Sequence, residues 1–567
     1  MIVQLIRPAA GHRKWLQVMS GPGLPLGLAY IAGALVRAGH EVSVLDAFIA
    51  GLDNRMAYGP IVATGLANEE VVARVRPDVE VIGISIMFTV DWLLVADLCE
   101  RLRRRFPRAV IVLGGEHVTA MPAFCLKTSA ADVGVLGEGE QTVVELVAAL
   151  ASGERSRLAG VAGLCFRDGD EVVITAPRSR IADLDGIARP AWELFDLPAY
   201  HRNKISTCGY RRDGLMVPIL ASRGCPYECT FCTAPAMWGR WKARSPRDVV
   251  DEIEDYMTRF GASDFHFYDL TTIIRRDWVE ELCREILGRG LKLSWQLTSG
   301  TRIEKVDAEL AVLLQQSGLY YLGLAPESGS EETRKAIKKK LRASDLERAT
   351  DAALAAGLRV QYFIVVGFPG DDREGLTETL RLAWWAGEKG VHDVGPSIFT
   401  PMPGTELFDE LLRAGRIVLG EPLLFATVLN MGFVPRLVTT EALGRAEVMF
   451  FQYGVAATFF LSKLVHHPAA MARETWAGLA EGADAGILTR ALRGVVRSAK
   501  ENLRSSLAGR RVAVPRIDYQ RFSIAELLTP HVVSAPVPLR RPAAATVDAG
   551  ESPTAADRPI RRSHLRV

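Results

Sequence analysis

The chain has 567 residues, 68 Lys and Arg against 66 Asp and Glu, and 49% apolar residues. That composition excludes a globally disordered chain, and a net charge of +2 gives no reason to expect nucleic acid as the main partner. Eight cysteines are too few for a disulfide scaffold, so clustered cysteines in a reducing compartment point to metal or catalysis. The opening MIVQLIRPAA has no charged leader or cleavage site, and a cytoplasmic location is the expectation.

Residues 1–150 alternate short β-rich runs (2–6, 41–45, 81–85, 109–113 and 133–136) with amphipathic stretches. One of these, 91–105, sets Trp92, Leu93, Ala96, Leu98 and Leu102 at helical spacing. The alternation predicts an α/β domain, a doubly wound, Rossmann-like parallel sheet that binds its ligand at the carboxyl ends of the strands. Residues 151–205 read as a connector with a small hairpin around Arg167-Asp168-Gly169-Asp170. A second α/β series fills 206–420, with strands expected at 217–221, 264–268, 293–298, 320–325, 360–366 and 393–399. Each but the last is followed by a helical pattern. The first helix is announced by Ser245-Pro246-Arg247-Asp248, an N-cap, a proline at the first position and an acid at the third. Six such units predict a partial (β/α)6 barrel with its chemistry at the strand ends. Residues 421–534 read as mainly helical, and 535–567 as a disordered tail. Within the helical region, 448–462 is uncharged for 15 residues. Its length favours a buried helix; the alternative is a helix lying on a membrane or on a greasy substrate.

The strongest local signal is Cys225-Pro226-Tyr227-Glu228-Cys229-Thr230-Phe231-Cys232, a C-x3-C-x2-C triplet directly after the first strand of the second series. Three thiolates can hold three irons of a four-iron cluster and leave the fourth open to a small ligand, as a catalytic zinc keeps one position free. The triplet is therefore read as catalytic and as metal-binding. A structural zinc site remains the alternative; it wants a fourth ligand, for which Cys208 is the candidate.

This loop resembles the signature of the radical SAM enzymes, whose open iron chelates the amino and carboxylate groups of S-adenosylmethionine. The resemblance covers about 215–410 and implies a [4Fe–4S] cluster, S-adenosylmethionine and an external electron donor such as flavodoxin or ferredoxin. Phe231 matches the family's residue near the adenine. Glu327-Ser328 is similar to its ribose-contacting segment, and Ile364 to Gly370 resembles the segment lying against the adenine, with Ile364 and Gly367 as contacts. Thr400-Pro401-Met402-Pro403-Gly404-Thr405 looks like its closing loop. Gln296 and Ser299, at and after the third strand, are further cofactor-side candidates, with Tyr268, Asp269 and Arg302 weighed as loop or cap residues. Lys338-Lys339-Lys340 reads as a solvated helix end.

The first domain resembles the cobalamin-binding domain that precedes one large branch of that family. The Asp-x-His-x-x-Gly of free-standing cobalamin domains is missing, so no protein ligand to cobalt is identified. Ser85-Ile86-Met87 and Gly114-Gly115 persist, separated by residues 88–113. Small residues at neighbouring strand ends let a large flat ligand reach the backbone. Glu116 and His117 extend the Gly-Gly loop, with His117 read as a packing or hydrogen-bonding residue. Gly137-Glu138-Gly139-Glu140 opens a helix, and its acids read as N-terminal capping.

Together the two resemblances imply a cobalamin-dependent radical SAM C-methyltransferase. In that mechanism one S-adenosylmethionine methylates reduced cobalamin, and a second gives the radical that removes hydrogen from an unactivated carbon. Cobalt supplies a route to a carbon that has no nucleophilic lone pair. The alternatives are a cyclase or rearrangement enzyme on the same scaffold, and a non-enzymatic cobalamin-binding regulator. The expected partner is a small molecule. The aromatic run Phe450, Phe451, Tyr453, Phe459 and Phe460 points to a lipid-like one and to peripheral membrane contact.

Overall fold

β-branched runs bounded by glycine and proline become strands, and the amphipathic stretches between them become helices, in the computed structural model. It describes residues 1–12, 22–206, 210–430, 435, 437–481, 512 and 514–528. The first half contributes β1 (Ile2–Arg7), β2 (Ala10–His12), β3 (Glu41–Asp46), β4 (Arg55–Tyr58), β5 (Ile61–Thr64), β6 (Val81–Ser85), β7 (Val110–Gly114), β8 (Val133–Val135), β9 (Leu164–Asp168) and β10 (Glu171–Ile174). The main sheet has the order β10-β9-β8-β7-β6-β1-β3. Its five expected strands pair in parallel, and helices cover both faces. Trp92, Leu93, Ala96, Leu98 and Leu102 are all buried on the helix Trp92–Arg105.

Two features depart from the sequence reading. The hairpin β9–β10, turning at Gly169 with φ 61°, is no part of a free connector. It pairs antiparallel with β8 and widens the sheet. Gly134 of β8 faces Cys165 of β9, and a Cβ at Gly134 would strike its sulfur. A small antiparallel sheet, β2-β5-β4, was also unexpected. Its strands are three and four residues long, too short to show a period.

The second half forms the six-stranded parallel sheet β11 (Leu215–Ile219), β14 (Ala262–Phe267), β15 (Ser294–Thr301), β16 (Leu319–Glu327), β17 (Arg359–Val366) and β18 (Asp393–Ile398), in sequence order. Between β11 and β14, the short strands β12 (Ser222–Arg223) and β13 (Lys242–Ala243) pair and clasp the cysteine loop. Ser245 caps the helix Pro246–Phe260 by accepting from the Asp248 amide, and Gly261 ends it in the left-handed region. The last strand is followed by a helix after all, Glu406–Arg413, capped by Thr405.

Beyond residue 420 the described elements are helices and turns. The helix Arg445–His466 lies along the helix Arg373–Lys389 and β18, where Gly387 lets the Phe459 carbonyl approach closely. It is long and apolar enough to cross a membrane by length and composition alone. Its aromatic run divides: Phe451 and Phe459 are buried, whereas Phe450 is 65% exposed. The helix thus flanks the barrel and is only half buried. Residues 514–528 return to the first half, where Phe522 packs on Phe124 and Lys127 pairs with Glu526 at 2.6 Å. The expected tail, 535–567, lies outside the described residues.

Candidate active site at the facing strand ends

The cysteine loop is shaped by its backbone. Gly224 takes φ 84°, and a Cβ there would stand 2.7 Å from the Gly239 carbonyl. The Cys225 amide donates to that carbonyl at 2.9 Å, and the Cys232 amide to the Cys229 carbonyl at 3.1 Å. Thr230 is held between the Ile337 carbonyl and the Leu407 amide. At the loop's base, buried Asp269 accepts from the Ala221 amide at 3.1 Å and from the Ser222 hydroxyl. Burial pushes its carboxyl up to about 6. Asp269 is thus a brace for the loop.

All three thiols are free and half-buried. Burial raises each of them, Cys232 to about 12. Arg302 and Lys339 pull Cys225 and Cys229 back toward the thiolate. Such a donor set suits a cationic centre. Among the described residues no three His, Cys, Asp or Glu side chains converge on one point. A single zinc would bring its sulfurs within roughly 3.8 Å of one another, whereas a cubane takes each thiolate on a separate iron. Three thiolates on one loop therefore fit a cluster, which takes each on a separate iron, better than a lone zinc, which wants a fourth ligand. Cys208, the fourth ligand that zinc would have required, lies outside the described residues.

Behind the loop, Glu327 ends β16 with φ 63°, a strained conformation for a residue with a side chain. Its carboxylate pairs with Lys339 Nζ at 2.9 Å, both side chains being 9% exposed. Lys339 is therefore no solvated helix end. Burial opposes its charge, but Glu327 and Cys229 prevail and its pKa is raised. Sequence reasoning missed it because its neighbour Lys338 does sit at the surface, paired with Glu406. Arg302, also read as a loop residue, stacks on Tyr227 at 3.5 Å. Lys339→Met should strand a buried carboxylate at a cost of about 3 kcal/mol. We expect 5′-deoxyadenosine formation to fall at least about tenfold, measured by chromatography on reconstituted protein.

The fifth and sixth strand ends gather beside Phe231. Its ring lies 5.4 Å from Phe368, which lies 5.1 Å from Phe399. Gly367, at φ 83°, donates its amide to Asp371 at 2.8 Å, and the Phe368 amide donates to the same oxygen at 3.0 Å. Pro401 is buried, and Asn430 donates to the adjacent Thr400 at 3.0 Å. Asp371 is a second residue that the sequence did not advertise.

Three candidates are placed otherwise than expected. Gln296 is fully buried, donating to the Tyr210 carbonyl at 3.1 Å and meeting His266. It belongs with Asp264, His266 and Tyr320 to a polar network in the lower barrel. The side chain of Ile364 lies in the helix-facing core, so only its backbone borders the strand end. Ser328 is buried in its own turn, accepting from the Ser330 amide at 3.1 Å. Ser299 is half-buried within the irregular stretch of β15, where the pairing with β16 shifts register.

On the first sheet, Ser85 and Gly114 end the adjacent strands β6 and β7. Gly115 is exposed at φ 113°, and a Cβ there would fall against the Ile86 carbonyl. At Gly114 a Cβ would meet nothing closer than 4.0 Å. Met87 and Phe88 are 58% and 49% exposed beside them. Bare backbone rimmed by apolar side chains is a fitting floor for a large flat ligand such as cobalamin. Gly137, at φ 69°, donates to Thr119 at 3.0 Å. His117 is buried against Trp92 and accepts or donates at Nδ1 to Thr89 at 3.1 Å. Burial holds its pKa at about 3. It packs beneath the Gly-Gly loop, as the packing reading expects.

The two strand-end edges meet. Trp238, at the end of the cysteine loop's helix Ala234–Met237, donates to Glu116 at 3.3 Å. Burial raises the Glu116 carboxyl, and this bond only partly opposes it.

Comparison with known proteins gives a family match to each half of the chain. The B12 binding domain model matches residues 15–147, and the Radical SAM superfamily model matches 219–383. The cytidylyl-2-hydroxyethylphosphonate methyltransferase of Streptomyces wedmorensis is 30% identical over 423 residues, 69% of this chain and 78% of the relative. The anaerobic magnesium-protoporphyrin IX monomethyl ester cyclase of Cereibacter sphaeroides is 29% identical, over 79% of this chain and 69% of its own. Among solved structures, the radical S-adenosylmethionine methyltransferase TsrM from Kitasatospora setae, with cobalamin and a [4Fe–4S] cluster bound, superposes with a TM-score of 0.62. That pair shares 19% identity and covers 88% of this chain and 99% of the other, a likeness of fold.

Proposed function

The chain belongs to the cobalamin-binding radical SAM enzymes, and we propose that it is a methyltransferase acting on an unactivated carbon of a small molecule held between its two sheets. Its cofactors are cobalamin, a [4Fe–4S] cluster and S-adenosylmethionine. The observation that carries the placement is the meeting of Glu116 with Trp238. It sets the Gly-Gly edge of the first sheet against the cysteine loop of the second.

Cys225, Cys229 and Cys232 would hold the cluster. Phe231, Gly367 and Pro401 would line the adenine side, and Glu327 the ribose side. Ser85, Gly114, Gly115 and Gly137 would carry the corrin and its tail. When bound, these groups would supply one-electron reductive cleavage of S-adenosylmethionine and a methyl group that a substrate carbon radical can take up. The chain's own side chains do the rest. Lys339 neutralises Glu327 and favours the Cys229 thiolate. Asp269 braces the loop, and Phe231, Phe368 and Phe399 exclude water from one side of it.

We read the acceptor as lipid-like, because Phe450, Leu461, Leu464, Val465 and Trp476 leave an apolar face exposed on the C-terminal helices. That face also suits peripheral membrane contact. A flavodoxin or ferredoxin is the donor class that matches the one-electron demand. An oxygen-labile cluster matches a reducing cytoplasm. A cyclisation on the same scaffold is the second reading, favoured by the likeness to the cyclase.

One experiment separates these. The chain is reconstituted anaerobically with iron, sulfide and hydroxocobalamin, then incubated with S-adenosylmethionine, a reductant and either lipid or polar metabolite extract. A lipid product heavier by one methylene is the expected result. Turnover of polar metabolites alone would refute the lipid acceptor, and a product without that gain would favour the cyclase reading.

A further inference from the structure

The segment Gly137-Glu138-Gly139-Glu140 opens the helix Gly139–Ala151, with Glu138 at the N-cap position making no side-chain cap bond and Glu140 in the first turn. Its acids point into the other half of the molecule. Glu140 pairs with Arg223 at 2.5 Å and Glu138 with the same guanidinium at 3.3 Å, at 5–10% side-chain exposure. The Tyr30 ring lies 5.3 Å from that guanidinium. Burial works to raise the Glu140 carboxyl, and Arg223 overrides it, so its pKa ends below the usual value. Glu138 also accepts from the Ile181 amide at 2.8 Å and from Arg180 at 3.5 Å. Arg180 in turn donates to the Arg240 carbonyl.

The location is informative. Arg223 ends β12, two residues before Cys225, and Arg240 lies two residues before β13 begins. Both stems of the cysteine loop are therefore tied to the segment that follows Gly137, at the carboxyl edge of the first sheet. The cysteine loop has other holds as well: the Asp269 brace, the Thr230 bonds to Ile337 and Leu407, and the amide bonds of Cys225 and Cys232. A charge pair buried on both sides resists sliding, because any shift leaves an uncompensated charge in a medium that solvates it poorly.

We propose that Arg223, Glu138 and Glu140 form a positioning bridge that sets the separation between the cobalamin edge and the cluster loop. The inference rests on the cofactor assignment above. On that assignment, cluster assembly and S-adenosylmethionine cleavage need only the loop and the strand ends of the second sheet. Methyl transfer from S-adenosylmethionine to cobalamin needs both edges in register, and a misplacement of 1 Å can cost about a hundredfold. The bridge residues touch no reacting atom and act only through the loop.

The test uses the full reconstituted chain as wild type, Arg223→Met, Arg223→Lys and Glu140→Gln. Pulsed electron paramagnetic resonance reads the distance between cob(II)alamin and the reduced cluster. Parallel assays read S-adenosylhomocysteine formed with titanium(III)-reduced cobalamin, and 5′-deoxyadenosine. Wild type should give one narrow distance. Arg223→Met should broaden it and lower S-adenosylhomocysteine at least about tenfold, while 5′-deoxyadenosine changes less than about twofold. Arg223→Lys and Glu140→Gln should fall between. An unchanged distance in Arg223→Met would overturn the proposal. So would a parallel fall of both products, or loss of the cluster, in both Arg223→Met and Glu140→Gln, since the bridge would then be scaffolding for the loop. Wild type that takes up no cobalamin would instead refute the cofactor assignment, and the bridge with it.

Discussion

Replacing any one of Cys225, Cys229 and Cys232 by Ala is expected to abolish the iron–sulfur absorption of the reconstituted chain and its 5′-deoxyadenosine formation. Each thiolate answers for one iron, so losing one leaves a second iron without a protein ligand. Nothing nearby replaces it: among the described residues the other cysteines, Cys99, Cys125, Cys165 and Cys283, are buried elsewhere. The loop itself should survive, because its shape comes from the turn at Gly224 and from amide bonds of Cys225 and Cys232 that an alanine also makes. Hydroxocobalamin affinity, which depends on the other sheet, should stay within about twofold. Anaerobic absorbance, iron analysis and chromatography of the nucleoside check the three statements. A variant that keeps its brown colour and cleaves S-adenosylmethionine would show that the triplet does not hold the cluster.

The parallel strands were legible because the central ones, such as β1 and β16, are buried on both faces and read as near-continuous apolar runs between turn residues. For 81–85 the expected and observed limits coincide. The cysteine loop was legible because its spacing is local. What escaped depends on pairing across the fold. Gln296 was placed at a strand end, but strand stagger in a barrel sets depth, and no residue count reveals that the neighbours of Gln296 are His266 and Tyr210. Lys339 and Lys338 are adjacent in sequence, yet one is buried on Glu327 and the other exposed on Glu406, which the 12 and 68 positions separating the partners concealed. Glu138 and Glu140 were read against their own helix, because a partner some 83 residues away leaves no periodic trace. The helix Arg445–His466 has nearly uniform composition around its circumference, so sequence could not tell which face Gly387 would receive.

Gly115→Ala should cost cobalamin affinity about a hundredfold or more, read by titrating hydroxocobalamin into the apoprotein and following its absorbance. Two penalties combine at this position. At φ 113° a side chain is strained, worth about 1–3 kcal/mol. The added methyl also meets the Ile86 carbonyl, and overpacking of that kind costs about 1–3 kcal/mol. Ile86 cannot simply withdraw. Its amide donates to the Gly114 carbonyl at 2.7 Å, and its carbonyl accepts from the His117 amide at 3.3 Å. Relief therefore comes by displacing the Gly-Gly loop toward solvent, into the space that the corrin would occupy. Gly39→Ala is the control. It too has positive φ, 83°, but open space around a Cβ and no place at the strand-end edge. It should lose some stability to strain while holding hydroxocobalamin within about twofold of wild type. Cluster assembly and 5′-deoxyadenosine formation should survive both substitutions, since the cysteine loop belongs to the other sheet. Equal affinity in Gly115→Ala and wild type would mean that the cofactor does not lie against this edge. The facing of the two strand ends would then have to be explained by something other than a shared substrate.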